Sequence, residues 1–301
     1  AHISALSGID QALWDVIGKS TGQPVYNLLG GKSRDEIMAY ASTGYITPSL
    51  KLDDLRPQIE KAVEMGFRAL KIKIGIGPKE DRERVKLTRE IAGDDVLLLV
   101  DANGNYTRES ALRCAQMIEE FNIHWFEEPL SPEDTDGYRY LKEKTAIPLA
   151  AGEALFTRFG FRNFIAGGYI DFVQPDLSKC GGISEGKKIA DLAQTWNLNV
   201  SAHVWGSAVG LAASLNFMAN LPSHPHSIIA SSPVLFEYDI QTNPLRTHLT
   251  QESITVKDGF IQIPDRPGLG VSVDEQFLKR MKREGGILTL TSEEFSQLHS
   301  K

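Results

Sequence analysis

Residues 124–130 read HWFEEPL. An apolar run ends in two adjacent carboxylates, Glu127 and Glu128, and Pro129 follows at once. Proline cannot donate to a strand ladder, so a strand entering this stretch stops there. Neighbouring like charges repel, and a strand end gives them no evident reason to stand together. The same grammar recurs along the chain, with a short apolar run, a polar residue at its end, and then a helical stretch. IMAYAS (37–42), RALKIKI (68–74), VLLLVDAN (96–103), HWFEEPL, IPLAAGE (147–153), IDFVQPD (170–176), LNVSAHVWG (198–206) and SPVLFEYD (232–239) are the strands. Segments such as KEDRERVKLTREIAG (79–93) and SEGKKIADLAQTWN (184–197) are the helices between them. Short strands alternating with helices of about 10–15 residues make βαβ units and a parallel sheet. Eight such strands predict an α/β protein, a TIM-like (β/α)8 barrel. A doubly wound sheet would carry a glycine-rich phosphate turn after its first strand, and IMAYASTGYITP has none.

Bulk properties agree with one large soluble core. The chain has 301 residues, 42% hydrophobic and 24% charged, with a net charge of −7. An acidic balance argues against nucleic acid or an anionic membrane as partner. No run of about 18 apolar residues offers a membrane span. Cys114 and Cys180 have no CxxC spacing and read as packed thiols in a reducing, cytoplasmic setting. The opening segment, ISALSGIDQALWDVIGKSTG, predicts an amphipathic helix with Ile3, Leu6, Ile9, Leu13 and Ile17 at helical spacing. VYNLLGGKSR closes it at a glycine pair. Near the far end, ESITVKDGFIQIPDRPGLG predicts a short hairpin, and SEEFSQLHSK reads as peripheral.

The polar strand ends are Lys73, Asp101, Glu127, Glu153, Asp176, His203 and Glu237, each about one βα unit from the last. They therefore fall around one rim, and barrels of this class build their active sites at the C-terminal face. Asp101, Glu127 and Glu153 are three successive acids. Converging carboxylates repel unless a cation sits among them, and hard oxygen ligands favour Mg²⁺, or Mn²⁺ in its place. Lys71 and Lys73 are two apart on one strand, so both point inwards. Each disfavours the other's proton, which predicts a lowered lysine pKa suited to a general base at Lys73. Lys71 is expected to pair with a barrel carboxylate such as Glu128. Asp176 and His203 end adjacent strands, within reach of a hydrogen bond that orients the imidazole as an acid or base.

These residues resemble the enolase superfamily, mandelate racemase subgroup. The resemblance rests on ALSGIDQALWD, the KIK of the second strand, VDANGNYT, WFEEP, AAGE, QPDLSKCGG, SAHVWG and FEYD. It implies the superfamily's modified (β/α)8 barrel, Mg²⁺, and abstraction of the proton α to a carboxylate. It further implies Lys73 and His203 as acid/base catalysts, with Asp176 supporting His203, and Asp101, Glu127 and Glu153 as metal ligands. Glu128 would sit behind them, paired with Lys71. Lys71, Asn103 and Glu237 would contact substrate, Glu237 by a hydrogen bond to a carboxylate oxygen if protonated. HVWG, QPDLSKCGG and FEYD followed by NPLR are most similar to sugar-acid cycloisomerases, such as those acting on galactarolactone or 3,6-anhydrogalactonate. Sugar-acid dehydratases come close behind. The partner implied is a small sugar acid or lactone, and homo-oligomers are common in the family.

On this reading residues 1–34 are the last helix and linker of an N-terminal capping domain that is otherwise absent. Residues 35–245 are the barrel, and 246–301 a C-terminal segment whose hairpin returns towards the cap. Three rivals remain. A Schiff-base aldolase could use Lys71 or Lys73 but leaves three acids without a task. An amidohydrolase needs an HxH, and His224 and His226 supply one beside Pro225 in a surface loop. A sugar-acid binding protein without activity would explain the resemblance but not the complete set of catalytic positions.

Overall fold

A computed structural model describes residues 2–46, 51–223 and 232–281. The readings of His224 and His226 and of the last ten residues lie outside these. Eight strands run parallel: β1 Glu36–Thr43, β2 Ala69–Lys73, β3 Leu97–Asp101, β4 Ile123–Glu127, β5 Leu149–Ala151, β6 Phe172–Val173, β7 Asn199–Val200 and β8 Leu235–Asp239. Their order in the sheet is β7-β6-β5-β4-β3-β2-β1-β8, so chain order is kept and β8 closes against β1. Between β7 and β8 no ladder forms among the described residues. Side chains carry that seam instead: Ser201 Oγ donates to the Leu235 carbonyl at 2.9 Å, and the Val204 amide donates to Glu237 Oε2 at 2.8 Å.

Helices follow the strands in alternation. α1 is His2–Thr21 and α2 Val25–Leu28, both before the sheet. α3 Arg56–Glu64, α4 Pro78–Ala92, α5 Arg108–Ile118, α6 Thr135–Lys142, α7 Thr157–Ala166, α8 Gly182–Thr195 and α9 Ala208–Asn220 return the chain to the next strand. After β8 only the four-residue α10, Pro244–Thr247, stands in the eighth helical place, and α11 Glu275–Met281 ends the described chain. Among the described residues no helix is long and apolar enough to cross a membrane.

Alternation along the strands separates two cores. Leu70, Ile72, Leu98, Val100, Phe126, Leu149 and Val173 face the helices. Tyr40, Ala69, Leu99, Trp125, Ala150, Phe172 and Leu235 fill the barrel interior. The Trp125 ring meets Tyr40 edge-on at 5.5 Å and Phe172 at 4.8 Å. This aromatic plug closes the barrel below the site. β4 reaches its register through an irregularity: Leu98 pairs with Ile123, yet Leu99 pairs with Trp125. His124 is therefore one extra residue, a bulge that lets Ile123 face outwards while Trp125 and Glu127 face inwards.

The two ends of the chain differ in detail from expectation. α1 forms, but its apolar stripe faces solvent: Leu6, Ile9 and Leu13 are each more than half exposed. It docks on α8 through polar and small residues. Gln11 Nε2 donates to the Leu177 carbonyl at 2.8 Å, and Trp14 Nε1 to Ser184 Oγ at 2.9 Å. The glycine pair Gly30–Gly31 comes after α2 rather than directly after α1. The C-terminal turn forms at Asp258–Gly259, both with positive φ, where Lys257 and Phe260 exchange backbone hydrogen bonds. Its second arm, β9 Phe260–Gln262, then pairs antiparallel with β1. From there the chain runs back to α1 and places Gly268 against Gly18. Both cysteines are buried and free.

That last contact leaves no room. A Cβ added at Gly18 would stand 2.5 Å from Gly268 Cα and 2.7 Å from the Gln23 carbonyl oxygen, whereas one at Gly8 would meet nothing within 4 Å. Both glycines lie in α1. Gly18→Ala should therefore destabilise by about 1–3 kcal/mol through overpacking. Gly8→Ala should stabilise by up to about 1 kcal/mol through helix propensity. Urea midpoints at unchanged slope check the pair, and equal effects of one sign would contradict the packing.

Candidate active site and metal centre

The strand-end residues meet at the C-terminal mouth, though not on one level. Lys73, Asp101 and Glu127 share a register row across β2, β3 and β4. Glu153 lies two residues past β5, and Asp176 and His203 lie three past β6 and β7, joined by an isolated parallel bridge. Glu237 sits at the middle of β8, opposite Tyr40. A cavity of about 650 Å³ opens here, and Lys73, Asn103, Glu153, Lys179, His203 and Glu237 are on its wall.

One carboxylate oxygen from each of Asp101, Glu127 and Glu153 lies within 4.8 Å of the others. Asp101 accepts from Lys73 Nζ at 2.5 Å and from the Asn103 amide at 2.8 Å. Glu127 is held at both oxygens. Lys71 Nζ donates to Oε1 at 2.6 Å, while Trp125 Nε1 and Gln174 Nε2 donate to Oε2 at 3.1 and 2.7 Å. Glu153 Oε2 is buried without a hydrogen bond, although His203 Nε2 stands 3.2 Å away. Burial, with Asp101, Glu237 and Glu153 close by, pushes the Glu127 carboxyl up to about 7 against the pull of Lys71. Crowded hard oxygens, an orphaned carboxylate oxygen and a carboxyl driven towards neutrality are the marks of a place that fits a small divalent cation.

His203 faces the same acids from the other side. Its Nδ1 is 3.0 Å from Asp176 Oδ2, which leaves Nε2 turned to the cavity. Burial works against its charge, but Glu237, Asp176 and Glu153 outweigh it and raise its pKa to about 9. Burial also opposes the charge of Asp176, and the His203 hydrogen bond overrides it and keeps this carboxyl below its usual range. Lys73 and His203 thus bracket the acid row, one touching Asp101 and the other Glu153.

Four expectations need correction. Lys71 does not pair with Glu128. It bonds Glu127 and Glu237 at 2.6 and 2.8 Å and lies 3.6 Å from Asp101, because its strand position aims it across the barrel below the rim. Nor does it reach the cavity, for its side chain is fully buried. The two lysines are not driven towards neutrality. Burial acts that way, but the carboxylates around them dominate and raise both pKa values, Lys71's strongly. Glu237 is not poised to donate a proton. Burial disfavours its charge, yet Lys71, then His203 and the Val204 amide, hold it down to about 2.

Glu128 answers the question its sequence raised. At φ +37 its backbone leaves the strand alternation, and its side chain is buried with Oε1 unpartnered. Burial, together with Glu153, Asp101 and Glu127, drives its carboxyl up to about 8. The two glutamates stand together because the backbone turns between them and brings the second to the same acidic cluster. Trp125 and Gln174, which orient Glu127, went unread. Each lies two residues before a recognised strand-end acid and so shares its face.

Comparison with known proteins agrees with this geometry. The model for enolase C-terminal domain-like proteins matches residues 54–277, and that for the mandelate racemase / muconate lactonizing enzyme N-terminal domain matches residues 1–30. A D-galactarolactone cycloisomerase from Agrobacterium fabrum is 39% identical, over 93% of this chain and 74% of that protein. An arabinonate dehydratase from Saccharolobus solfataricus is 36% identical, over 93% and 72%. The crystal structure of the 3,6-anhydro-D-galactonate cycloisomerase from Zobellia galactanivorans superposes with a TM-score of 0.84 at 36% identity, covering 92% of this chain and 75% of that one. With a family model over most of its length, relatives matched over 93% of this chain, and the acid row at the expected strand ends, the chain belongs to the enolase superfamily and is an enzyme of its mandelate racemase and muconate lactonizing branch.

Proposed function

We propose that this enzyme removes the proton α to the carboxylate of a six-carbon sugar acid and then expels a ring oxygen from the next carbon. It would act as a cycloisomerase on a sugar lactone or anhydro-sugar acid and yield a 2-keto-3-deoxy acid. The observation that carries this reading is the bracketing of one acid row by two proton carriers, Lys73 at 2.5 Å from Asp101 and His203 at 3.2 Å from Glu153. Mg²⁺ held by Asp101, Glu127 and Glu153, or Mn²⁺ in its place, would supply positive charge against the substrate carboxylate and the enediolate formed from it.

The protein's own groups divide the work. His203 is an imidazolium near neutral pH, with Nε2 facing the cavity, and so is equipped to hand a proton to the departing oxygen. Lys73 must shed its proton before it can act as a base, and its bond to Asp101 is what now retains it. Engagement of Asp101 elsewhere would release it. Asn103 braces Asp101 through its backbone amide and its side-chain Nδ2 and stands on the cavity wall. Glu237, ionised, accepts hydrogen bonds from substrate hydroxyls. Lys71 stays sealed below and keeps Glu127 and Glu237 in place. In the reaction the C2–H electrons form the enediolate, the C3–O bond breaks, and the enol becomes a ketone. A tethered oxygen remains in the product, as a hydroxyl from an anhydro ring or as part of a carboxylate from a lactone, whereas a free hydroxyl leaves as water. The names of the Agrobacterium and Zobellia relatives favour the first outcome, and that of the Saccharolobus relative supports a sugar-acid dehydratase as the second reading.

Three measurements test this. EDTA should abolish turnover and Mg²⁺ or Mn²⁺ restore it. Calorimetry with Mn²⁺ should show Glu127→Gln losing far more affinity than Glu128→Gln, and full activity of metal-free Glu127→Gln would overturn the ligand set. Lys73→Ala and His203→Asn should each lower turnover by about 10²–10⁴-fold. One of the two should still exchange the C2 proton in D₂O, and near-normal turnover in both would refute the base assignment. A library of acid sugars and lactones, read by mass spectrometry, should return a product isobaric with its substrate. A best substrate that loses one water would instead make the enzyme a dehydratase.

A further inference from the structure

Three loops form the wall of the cavity on the Lys73 side. Tyr45 and Ile46 follow β1, Ile74 to Ile76 follow β2, and Asn103 and Asn105 follow β3. Two residues of α4, one helical turn apart, bind all three. Arg84 is 3% exposed. Its Nε donates to the carbonyl of Lys73 at 3.1 Å, and its Nη2 to the carbonyl of Gly44 at 2.6 Å. Asp81 is fully buried, and its Oδ2 accepts from the amides of Gly75, Ile76 and Gly77 at 2.8, 3.0 and 3.1 Å. The same oxygen takes the hydroxyl of Tyr106, which closes the β3 loop. The loops also touch directly: a Cβ added at Gly75 would lie 3.0 Å from both the Ala102 carbonyl oxygen and Asn105 Cβ.

Asp81 and Arg84 spend their hydrogen bonds on backbone groups of the loops, and apolar side chains in their place would leave those groups unbonded. What an apolar side chain cannot do is hold two carbonyls from different loops at fixed separation, which the planar guanidinium fork does and a lysine does not. One of those carbonyls belongs to the residue read above as a base. Among the described contacts, neither the Glu153 loop nor the stretch His203–Trp205 is bonded to Asp81 or Arg84, so the device acts on one side of the cavity only.

We propose that Arg84 is a positioning residue that ties the β1 loop to the end of β2, in a wall that Asp81 extends to the β3 loop, and so holds Lys73 in place for proton transfer. This rests on the reading of Lys73 as a base, and the test separates the two ideas. Hydrogen exchange is followed by mass spectrometry on the Mg²⁺-supplemented protein for Arg84→Met and for Arg84→Lys. The lysine variant keeps the charge and most of the volume and carries the test if the methionine variant does not fold. Exchange should quicken by about tenfold or more in residues 44–46 and 74–77 while 153–157 and 203–206 keep their wild-type rates. On the sugar acid or lactone that the wild type converts in the screen, kcat should fall by about 10²-fold with KM nearly unchanged, the signature of a misplaced group rather than lost binding. Exchange that rises everywhere, or in neither of these two stretches, overturns the proposal, as does a raised KM with intact kcat. If the wild type converts none of the compounds, the functional reading fails, and the loop exchange still decides whether Arg84 is the lock.

Discussion

The ammonium of Lys71 is the charge around which the rest of the site is arranged. It lies inside the barrel with no exposed surface, on the aromatic plug, and 5.4 Å above the ring of Tyr40. From β2 it reaches carboxylates on β3, β4 and β8. A lone buried ammonium, or three buried carboxylates without it, would cost several kcal/mol for each uncompensated charge. Together they make a layer that is neither apolar core nor solvent. Counting this layer and the rim together, negative charge is in excess: Asp101, Glu127, Glu237, Glu128, Glu153 and Asp176 face Lys71, Lys73, His203 and Lys179. Burial, with that surplus beside it, lifts the pKa values of Glu127 and Glu128, and the surplus keeps His203 protonated. A rim that holds carboxylates beyond its own cations has the composition of a site that could hold another.

Much of this was legible before any coordinates. The alternation of apolar runs and helices located every strand, the parity of side chains along a strand placed Lys71 and Lys73 inside, and the spacing of strand ends brought Asp101 and Glu127 to one rim. The His203–Asp176 contact followed from adjacency of strand ends. What could not be read was depth and sign. One-dimensional spacing says that Lys71 points inwards but not that it stops below the cavity, so its expected substrate contact and its pairing with Glu128 both failed. Two lysines on one strand look mutually repulsive until the acids of other strands are counted. A positive φ at Glu128 is invisible in the letters EEP. The exposed stripe on α1 misleads in the opposite direction, since helical spacing of apolar residues does not say which face the protein covers.

Arg84 and Asp81 show a related limit. Nothing in KEDRERVKLTREIAG sets them apart from the helix's other charges, yet Asp81 is buried completely and Arg84 nearly so. Burial of these two charges at the start of a helix follows from the loops around it. The backbone groups left unbonded where strands end must find partners, and short loops rich in glycine cannot provide them from within. The helix supplies a carboxylate for the stray amides and a guanidinium for the stray carbonyls.

The seam between β7 and β8 has a consequence for how the chain reaches this state. β8 owes its place to a five-residue ladder with β1, and those partners, Met38 to Ser42 against Leu235 to Asp239, are nearly the whole barrel apart in sequence. β7 contributes two residues of strand and a serine hydroxyl, too little to guide β8 in from the adjacent side. Ring closure is therefore a long-range search, the kind of contact that slows folding most. Until it succeeds, β1 has an open edge and the aromatic plug lacks Leu235. The first strand made is completed by the last, and every earlier βα unit must wait in a sheet that still exposes an edge to other chains.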